Sequence, residues 1–220
     1  MKVVAFVPMK MNNERAPGKN TMRLSDGKPI CELMFNTLLN VKEIDSVYCF
    51  CSNEEICQYL PDKIKFLKRD PSLDSPETKG NDLIESFINK IDADIYVKAH
   101  VTAPFLSSNT ISECIQAVLL GNYDSATPIS SVNELLWDDF GPINYDPTNI
   151  ARTQDVKHIF RETTGAYIFK KSVFVEHHRR IGFNPYFKEV GVIEGLDYNY
   201  PEDFEVIDAV YMSRKYSPYK

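Results

Sequence analysis

Val3-Val4-Ala5-Phe6-Val7-Pro8-Met9-Lys10 opens the chain with five apolar residues that end at a proline and a lysine. The run is too short for a helix and shows no polar alternation. It therefore predicts a strand buried on both faces, the first of a parallel sheet. The loop that follows runs to Asn20 and carries Lys10, Arg15 and Lys19. In open α/β sheets ligands gather at the carboxyl ends of strands, which is where this loop lies. Gly18 lets the backbone come close to a bound group, and three cations within ten residues suit phosphate oxygens. An ordinary solvated loop also carries basic residues, and neither a Walker-type nor a GxGxxG pattern is present to raise the specificity.

Working outward, Ile30, Leu33, Met34, Leu38 and Val41 recur at helical spacing, and Ser46–Cys51 and Ile64–Leu67 read as strands. A short helix capped by Ser52, a helix over Asp82–Ile91 and a strand over Asp94–Ala99 come next. Then follow a helix from Ser107 or Ser108 to Gly121 and a strand over Tyr123–Ile129. Strand and helix alternate, which predicts a three-layer α/β domain with a mostly parallel sheet. Residues 133–161 break into aromatic and proline-rich pieces (Trp137, Phe140, Pro142, Tyr145, Pro147), as a lid, subdomain or interface does. A strand over Thr164–Phe169, a helix over Lys170–His178 and a last helix begun at Pro201 complete the order. His177-His178-Arg179-Arg180-Ile181-Gly182 reads either as a solvated basic helix end or as a clamp on an anionic substrate or on a neighbouring subunit.

Composition narrows the class. The chain has 220 residues, 43% hydrophobic and 25% charged, with no run of about 18 apolar residues. A soluble, cytoplasmic protein with no signal segment is expected. A net charge of −6 argues against nucleic acid as a partner. Its distribution is uneven: the first thirty residues are net +4, leaving −10 on the rest. A positive site on an acidic body suits a small anionic ligand, with a divalent cation to offset the remainder. Five cysteines show no paired spacing, and Cys49 and Cys51 are expected as buried thiols.

The spacing Pro8, Lys10, Pro17-Gly18-Lys19-Asn20 resembles the opening signature of the CMP-sugar synthetases, P-A-R-x-G-S-K-x-x-P-G-K-N. These are the acylneuraminate cytidylyltransferases and their 3-deoxy-octulosonate relatives. Met9 stands for alanine, Lys10 for arginine, Asn13 for serine and Glu14 for the first lysine, with Arg15 one place on. The resemblance implies that Pro8, Met9, Lys10, Arg15, Lys19 and Asn20 bind the nucleotide, with Lys10, Arg15 and Lys19 on the triphosphate of CTP. Arg69, Leu73, Asp74 and Thr78 to Asn81 are similar to the family's cytidine and ribose contacts, with Arg69 near the base and Asn81 at the helix start.

Further along, His100-Val101-Thr102-Ala103-Pro104 is similar to the family's Q-P-T-S-P on the sugar side of the pocket, with His100 replacing glutamine. Arg152-Thr153-Gln154-Asp155 resembles the R-x-Q-D that ends an arm packed on a second subunit, here residues 133–161. Thr164-Gly165-Ala166 looks like the N-G-A that re-enters the core. Glu194 to Phe204 resembles I-D-I-D-x-P-E-D-F, whose aspartates hold Mg²⁺; Asp197 matches the first and Asn199 occupies the second. Two residues apart on an extended segment, both side chains would face one side.

The resemblance implies a single Rossmann-like nucleotide-diphospho-sugar transferase domain with an inserted dimerisation arm, working as a homodimer. The implied reaction moves CMP from CTP to an acidic nonulosonic sugar. Lys10, Lys19 and Asp197 would carry the chemistry, His100, Thr102, Arg152 and Gln154 would hold the sugar, and magnesium would be the cofactor. Two alternatives stand beside it: another acceptor, such as a sugar phosphate or phosphonate, or another nucleotide; and a nucleotide-binding protein without catalysis, suggested by Glu14 and Asn199.

Overall fold

The computed structural model describes residues 1–11, 13 and 16–215; Arg15 and Glu14 lie outside the described residues. Strand β1, Val3–Pro8, forms where the opening run predicts it. Val3, Ala5 and Val7 point into one apolar cluster and Val4 and Phe6 into another, so the strand is buried on both faces. It pairs in parallel with β2 (Ser46–Cys51) on one side and with β4 (Ile95–Ala99) on the other; β3 (Lys65–Lys68) extends the sheet beyond β2. Next to β4 the direction reverses. β9 (Ala166–Lys170) is antiparallel to β4 and to β5 (Ser125–Val132), and β10 (Pro185–Glu189) closes the edge in parallel with β5. The sheet order is β10-β5-β9-β4-β1-β2-β3, a mixed, mostly parallel sheet.

Helices cover both faces. On one side lie α1 (Ile30–Leu39) and α3 (Ser108–Leu119), which bury Met34, Phe35, Leu38, Ile111, Ile115 and Val118. The other carries α2 (Gly80–Ile88) and α4 (Lys171–His177), which bury Ile84, Phe87 and Phe174. Ser107 caps α3, its Oγ accepting from Thr110 N at 3.1 Å. A third cluster forms where α5 (Pro201–Lys215) packs Ile207 against Leu24, Ile30 and Tyr198. Ser25 N donates to Asp208 Oδ1 at 2.8 Å, so α5 holds down the far end of the first loop.

Several expected boundaries move. α2 begins at Gly80, two residues early, because the Asp82 carboxylate accepts from Lys79 N at 2.7 Å and caps the helix there. The turn after β2 is a 3₁₀ helix, Glu54–Tyr59, capped by Asn53 instead of Ser52. Strand β10 was not expected at all. The arm holds a two-residue hairpin, β6 (Trp137–Asp138) with β7 (Gly141–Pro142), and returns as β8 (Ile159–Glu162) on β5. Its apolar side chains face outward: Phe140 is 99% exposed and Trp137 61%. Cys49 and Cys51 are buried free thiols; burial pushes the Cys49 thiol well up, and its Sγ lies 3.7 Å from Met9 Sδ.

Phe87 is the centre of the second cluster. It stacks on Phe6 at 4.1 Å between centroids and meets Tyr48, Phe50 and Tyr96 edge-on. Truncating a fully buried phenylalanine costs about 3–5 kcal/mol. Phe87→Ala is expected to lower the urea midpoint by that amount of stability, and a shift under about 1 kcal/mol would remove this cluster from the core.

Candidate active site

The carboxyl ends of β1 and β4 diverge at the point where the sheet's connections reverse direction, and a cavity of about 420 Å³ opens there. Crevices of this kind are the ligand sites of open α/β sheets. Pro8, Met9 and Lys10 form one wall, Arg69 and Leu73 another, His100 and Thr102 a third, and Asp197 and Asn199 a fourth; Lys19 and Asn20 come in from the loop.

The loop is held in shape from within. Gly18 has φ +72°, a left-handed value that glycine adopts without strain, and it starts the short 3₁₀ turn Lys19–Thr21. Asn20 is buried, and its amide nitrogen donates to Lys10 O at 2.9 Å, so it fixes the Lys10 backbone. Lys10 Nζ reaches Asp74 O at 3.5 Å. Lys19 Nζ lies 3.4 Å from Tyr198 O, which ties the loop to the Asp197 segment. Met9 lines the cavity, yet its side chain is buried in the core cluster. Arg69 is only 2% exposed; its guanidinium pairs with Asp74 and lies over the Phe50 ring.

The Asp197 segment alternates as expected. Tyr198 turns into the α5 cluster, and its N–H donates to Thr102 O at 2.8 Å, while Asp197 and Asn199 face the cavity. Asp197 Oδ2 accepts from Thr164 Oγ1 at 3.0 Å and from the Asn199 amide at 2.7 Å; Oδ1 is buried with no partner among the described residues. Asp203 takes the backbone N–H groups of Asn199 and Tyr200 at 2.8 Å each, a helix-start role. Thr164 itself has φ +58°, an uncommon conformation for a β-branched residue. Sequence reasoning did not propose Thr164 as a site residue; its substitution for the family's asparagine was the only signal.

His100 reaches the cavity, with Nε2 buried and without a partner among the described residues. Burial, then the charges of Lys98, Arg180 and Lys19, push its pKa down to about 3. The imidazole is therefore neutral near pH 7. Lys98, on the same face of β4, is 2% exposed, and burial followed by Arg180 lowers it to about 8.

Three expected site residues are not brought to the cavity. Asn81 sits at the start of α2 and donates its amide to His178 O at 2.8 Å. Arg152 and Gln154 are exposed on the arm, Arg152 paired with Asp155 at 2.7 Å.

Fold and site together define a nucleotide-binding α/β transferase, with a cationic loop facing one carboxylate across a strand-end crevice. The profile of the cytidylyltransferase family matches residues 4–216, and the chain belongs to that family of CTP-using nucleotidyltransferases. No curated protein sequence matches it as a relative. Among solved structures it is similar to a CMP:2-keto-3-deoxy-manno-octonic acid synthetase complexed with CTP. That likeness has TM-score 0.72 and 17% identity, over 97% of this chain and 100% of the other. It is also similar to the 4-diphosphocytidyl-2C-methyl-D-erythritol synthase of Anaerococcus prevotii DSM 20548, with TM-score 0.65 and 13% identity over 96% of each chain. A third likeness is to the bifunctional IspDF of Campylobacter jejuni, with TM-score 0.67 and 15% identity, over 93% of this chain and 54% of the other. No helix among the described residues is long and apolar enough to cross a membrane.

The His100 environment gives a pH expectation. An unfolded histidine takes up its proton near pH 6.5, whereas folded His100 does so only near pH 3. The unfolded chain thus binds more protons in that window. Its contribution is complete above pH 6.5 and falls as the pH drops toward 3. Urea unfolding of His100→Gln between pH 6.5 and 4 should show a shallower loss than the wild type, by at most about 1.4 kcal/mol per pH unit. Equal slopes would mean that His100 protonates freely in the folded protein.

Proposed function

We propose that the protein transfers CMP from CTP to a hydroxyl of an acidic, sialic-acid-like nonulosonic sugar, releasing pyrophosphate, in the cytoplasmic supply of an activated sugar for surface glycans. The observation that carries this reading is the meeting, in one cavity, of Lys10 and Lys19 with a carboxylate whose Oδ1 has no partner among the described residues. The likeness to a CMP-sugar synthetase over the whole chain supports it.

In this reaction the acceptor hydroxyl gives up its proton to solvent and its oxygen bonds to the α-phosphorus of CTP as the bond to the bridging oxygen of the β-phosphate breaks, and pyrophosphate departs. Lys10 and Lys19, with Arg15 of the same loop, offset charge on the triphosphate and on the leaving pyrophosphate. Asn20 holds the Lys10 backbone in line. Such transfer depends on positioning and charge compensation more than on a covalent nucleophile. A histidine with pKa about 3 is too weak a base to take the acceptor's proton, so His100 contributes a neutral hydrogen bond to the sugar, beside Thr102.

A lone buried carboxylate oxygen facing a phosphate site fits a hard divalent cation. Asp197 would hold Mg²⁺, steadied by Thr164 and Asn199, and the ion would neutralise charge on the α-phosphate. Asn199 supplies no charge, so the nucleotide's own phosphates would complete the coordination. The exposed Trp137, Phe140, Ile143 and Ile150 support a homodimer in which the arm covers its apolar side chains and carries Arg152 and Gln154 toward the partner's cavity. A second reading, a phosphate-bearing polyol acceptor, has support in the likeness to the methyl-erythritol synthase.

Pyrophosphate release from CTP should occur with N-acetylneuraminate or 2-keto-3-deoxy-octonate, and release with the polyol phosphate alone would select the second reading. In a magnesium titration at saturating CTP, Asp197→Ala should lose turnover by at least about a hundredfold, while Asn199→Asp should reach half-maximal activity at lower magnesium. Full turnover in Asp197→Ala would move the metal site elsewhere.

A further inference from the structure

Lys98 is the one charged residue in the buried strand Ile95–Ala99, and it is 2% exposed. Register puts it between Phe6 and Tyr167. Among the described residues its ammonium has a single hydrogen-bond partner, Gly80 O at 3.5 Å, and no acidic one. A second cation converges on the same spot. Of the basic stretch that ends α4, Arg179 lies over the Phe183 ring, while Arg180 turns inward, its guanidinium 3.8 Å from the Tyr167 centroid. A Cβ on Gly80 would stand 3.3 Å from Lys98 Nζ and 3.6 Å from an Arg180 nitrogen, so the bare start of α2 leaves room for both.

This meeting is built in. His178 turns the chain at φ +53°, and Asn81 holds its carbonyl. Gly182 N then donates to Ser125 Oγ at 2.8 Å, and a Cβ there would collide with the Asp124 carboxylate. Among the described residues the carboxylate paired with Arg180 is Glu162, at 3.6 Å, which also accepts from the Tyr167 hydroxyl at 2.7 Å; Asp197 also acts on Tyr167. The neighbourhood keeps a net positive charge. Burying like charges together is unfavourable, and an apolar side chain in place of Lys98 would be as stable or more so. His100, two residues on, lines the cavity, and its ring meets that of Tyr167, 6.3 Å between centroids, on whose ring Arg180 lies.

We infer that Lys98 and Arg180 are specificity-determining residues: a buried positive pair behind His100 that selects an acceptor bearing an anionic group, carboxylate or phosphate. The inference rests on the proposed transfer to an acceptor hydroxyl and names what that acceptor must carry. Lys98 need not touch the ligand. In a poorly hydrated interior a positive charge acts on an anion across a side chain far more strongly than in water. His100, kept neutral chiefly by burial, adds no charge of its own and offers an Nε2 that has no partner among the described residues to the bound group.

The test compares wild type, Lys98→Met, Arg180→Gln and Arg180→Lys in pyrophosphate release from CTP. The acceptors are N-acetylneuraminate, 2-keto-3-deoxy-octonate, 2-C-methyl-erythritol 4-phosphate and neutral 2-C-methyl-erythritol. Lys98→Met and Arg180→Gln should raise the KM of the anionic acceptor about tenfold or more, with the KM for CTP within about twofold. Arg180→Lys should recover part of the loss, and Lys98→Met should melt no lower than wild type. Use of the phosphate but neither nonulosonate would refute the proposed acceptor class and leave the pair to be judged on the variants. An unchanged acceptor KM in Lys98→Met, a parallel rise in the KM for CTP, use of the neutral polyol as readily as its phosphate, or no use of any anionic acceptor would each overturn the inference.

Discussion

The hydrogen bond from Tyr198 N–H to Thr102 O, with the Tyr198 ring buried under α5, is the contact on which the site depends. Period-two alternation then leaves Asp197 and Asn199 no direction but the cavity. The same tyrosine's carbonyl receives Lys19. One residue thus joins the loop after β1, the loop after β4 and the start of α5, three segments far apart in the chain. Each of them alone is an irregular connection. Pinned together, they hold cations on one side of a crevice and a carboxylate on the other, without relying on any one loop's rigidity.

Electrostatics divides the crevice. Arg69 is consumed by Asp74 and the Phe50 ring, so its charge serves the wall more than a ligand. Asp197 has one oxygen satisfied twice and the other not at all. Buried polar atoms left unmade are costly, and native proteins keep few of them. His100 Nε2 and Asp197 Oδ1 both lie in the cavity wall, which concentrates the unmet hydrogen-bonding capacity where a ligand would sit.

Much of the sheet was legible because β1 is an unbroken apolar run and β2 and β4 are mostly apolar and mostly buried. β10 was not. Pro185-Tyr186-Phe187-Lys188-Glu189 mixes aromatics with charges, and as an edge strand it owes its existence to pairing with β5, some sixty residues away. The site divides in the same manner. Lys10, Lys19, Asn20, Asp197 and Asn199 came from local motifs and meet in the cavity. Asn81 read as a ligand contact, yet its partner is a carbonyl 97 residues later, which no spacing reveals. Lys98 lies inside the strand read from the sequence, and what buries it, the start of α2 and Arg180, comes from distant segments that no local pattern reveals. Arg152 and Gln154 sit exposed on the arm and do not line the cavity that the local motifs build.

Thr164 holds its hydroxyl on Asp197 only by accepting a left-handed backbone, a conformation that costs a side chain with a Cβ about 1–2 kcal/mol. Thr164→Gly relieves that cost and removes the hydroxyl in the same step. Backbone ease and the hold on Asp197 therefore pull in opposite directions at one codon. A library of this protein selected for thermal tolerance alone should drift toward glycine there, and a library selected for turnover should hold the threonine against that drift.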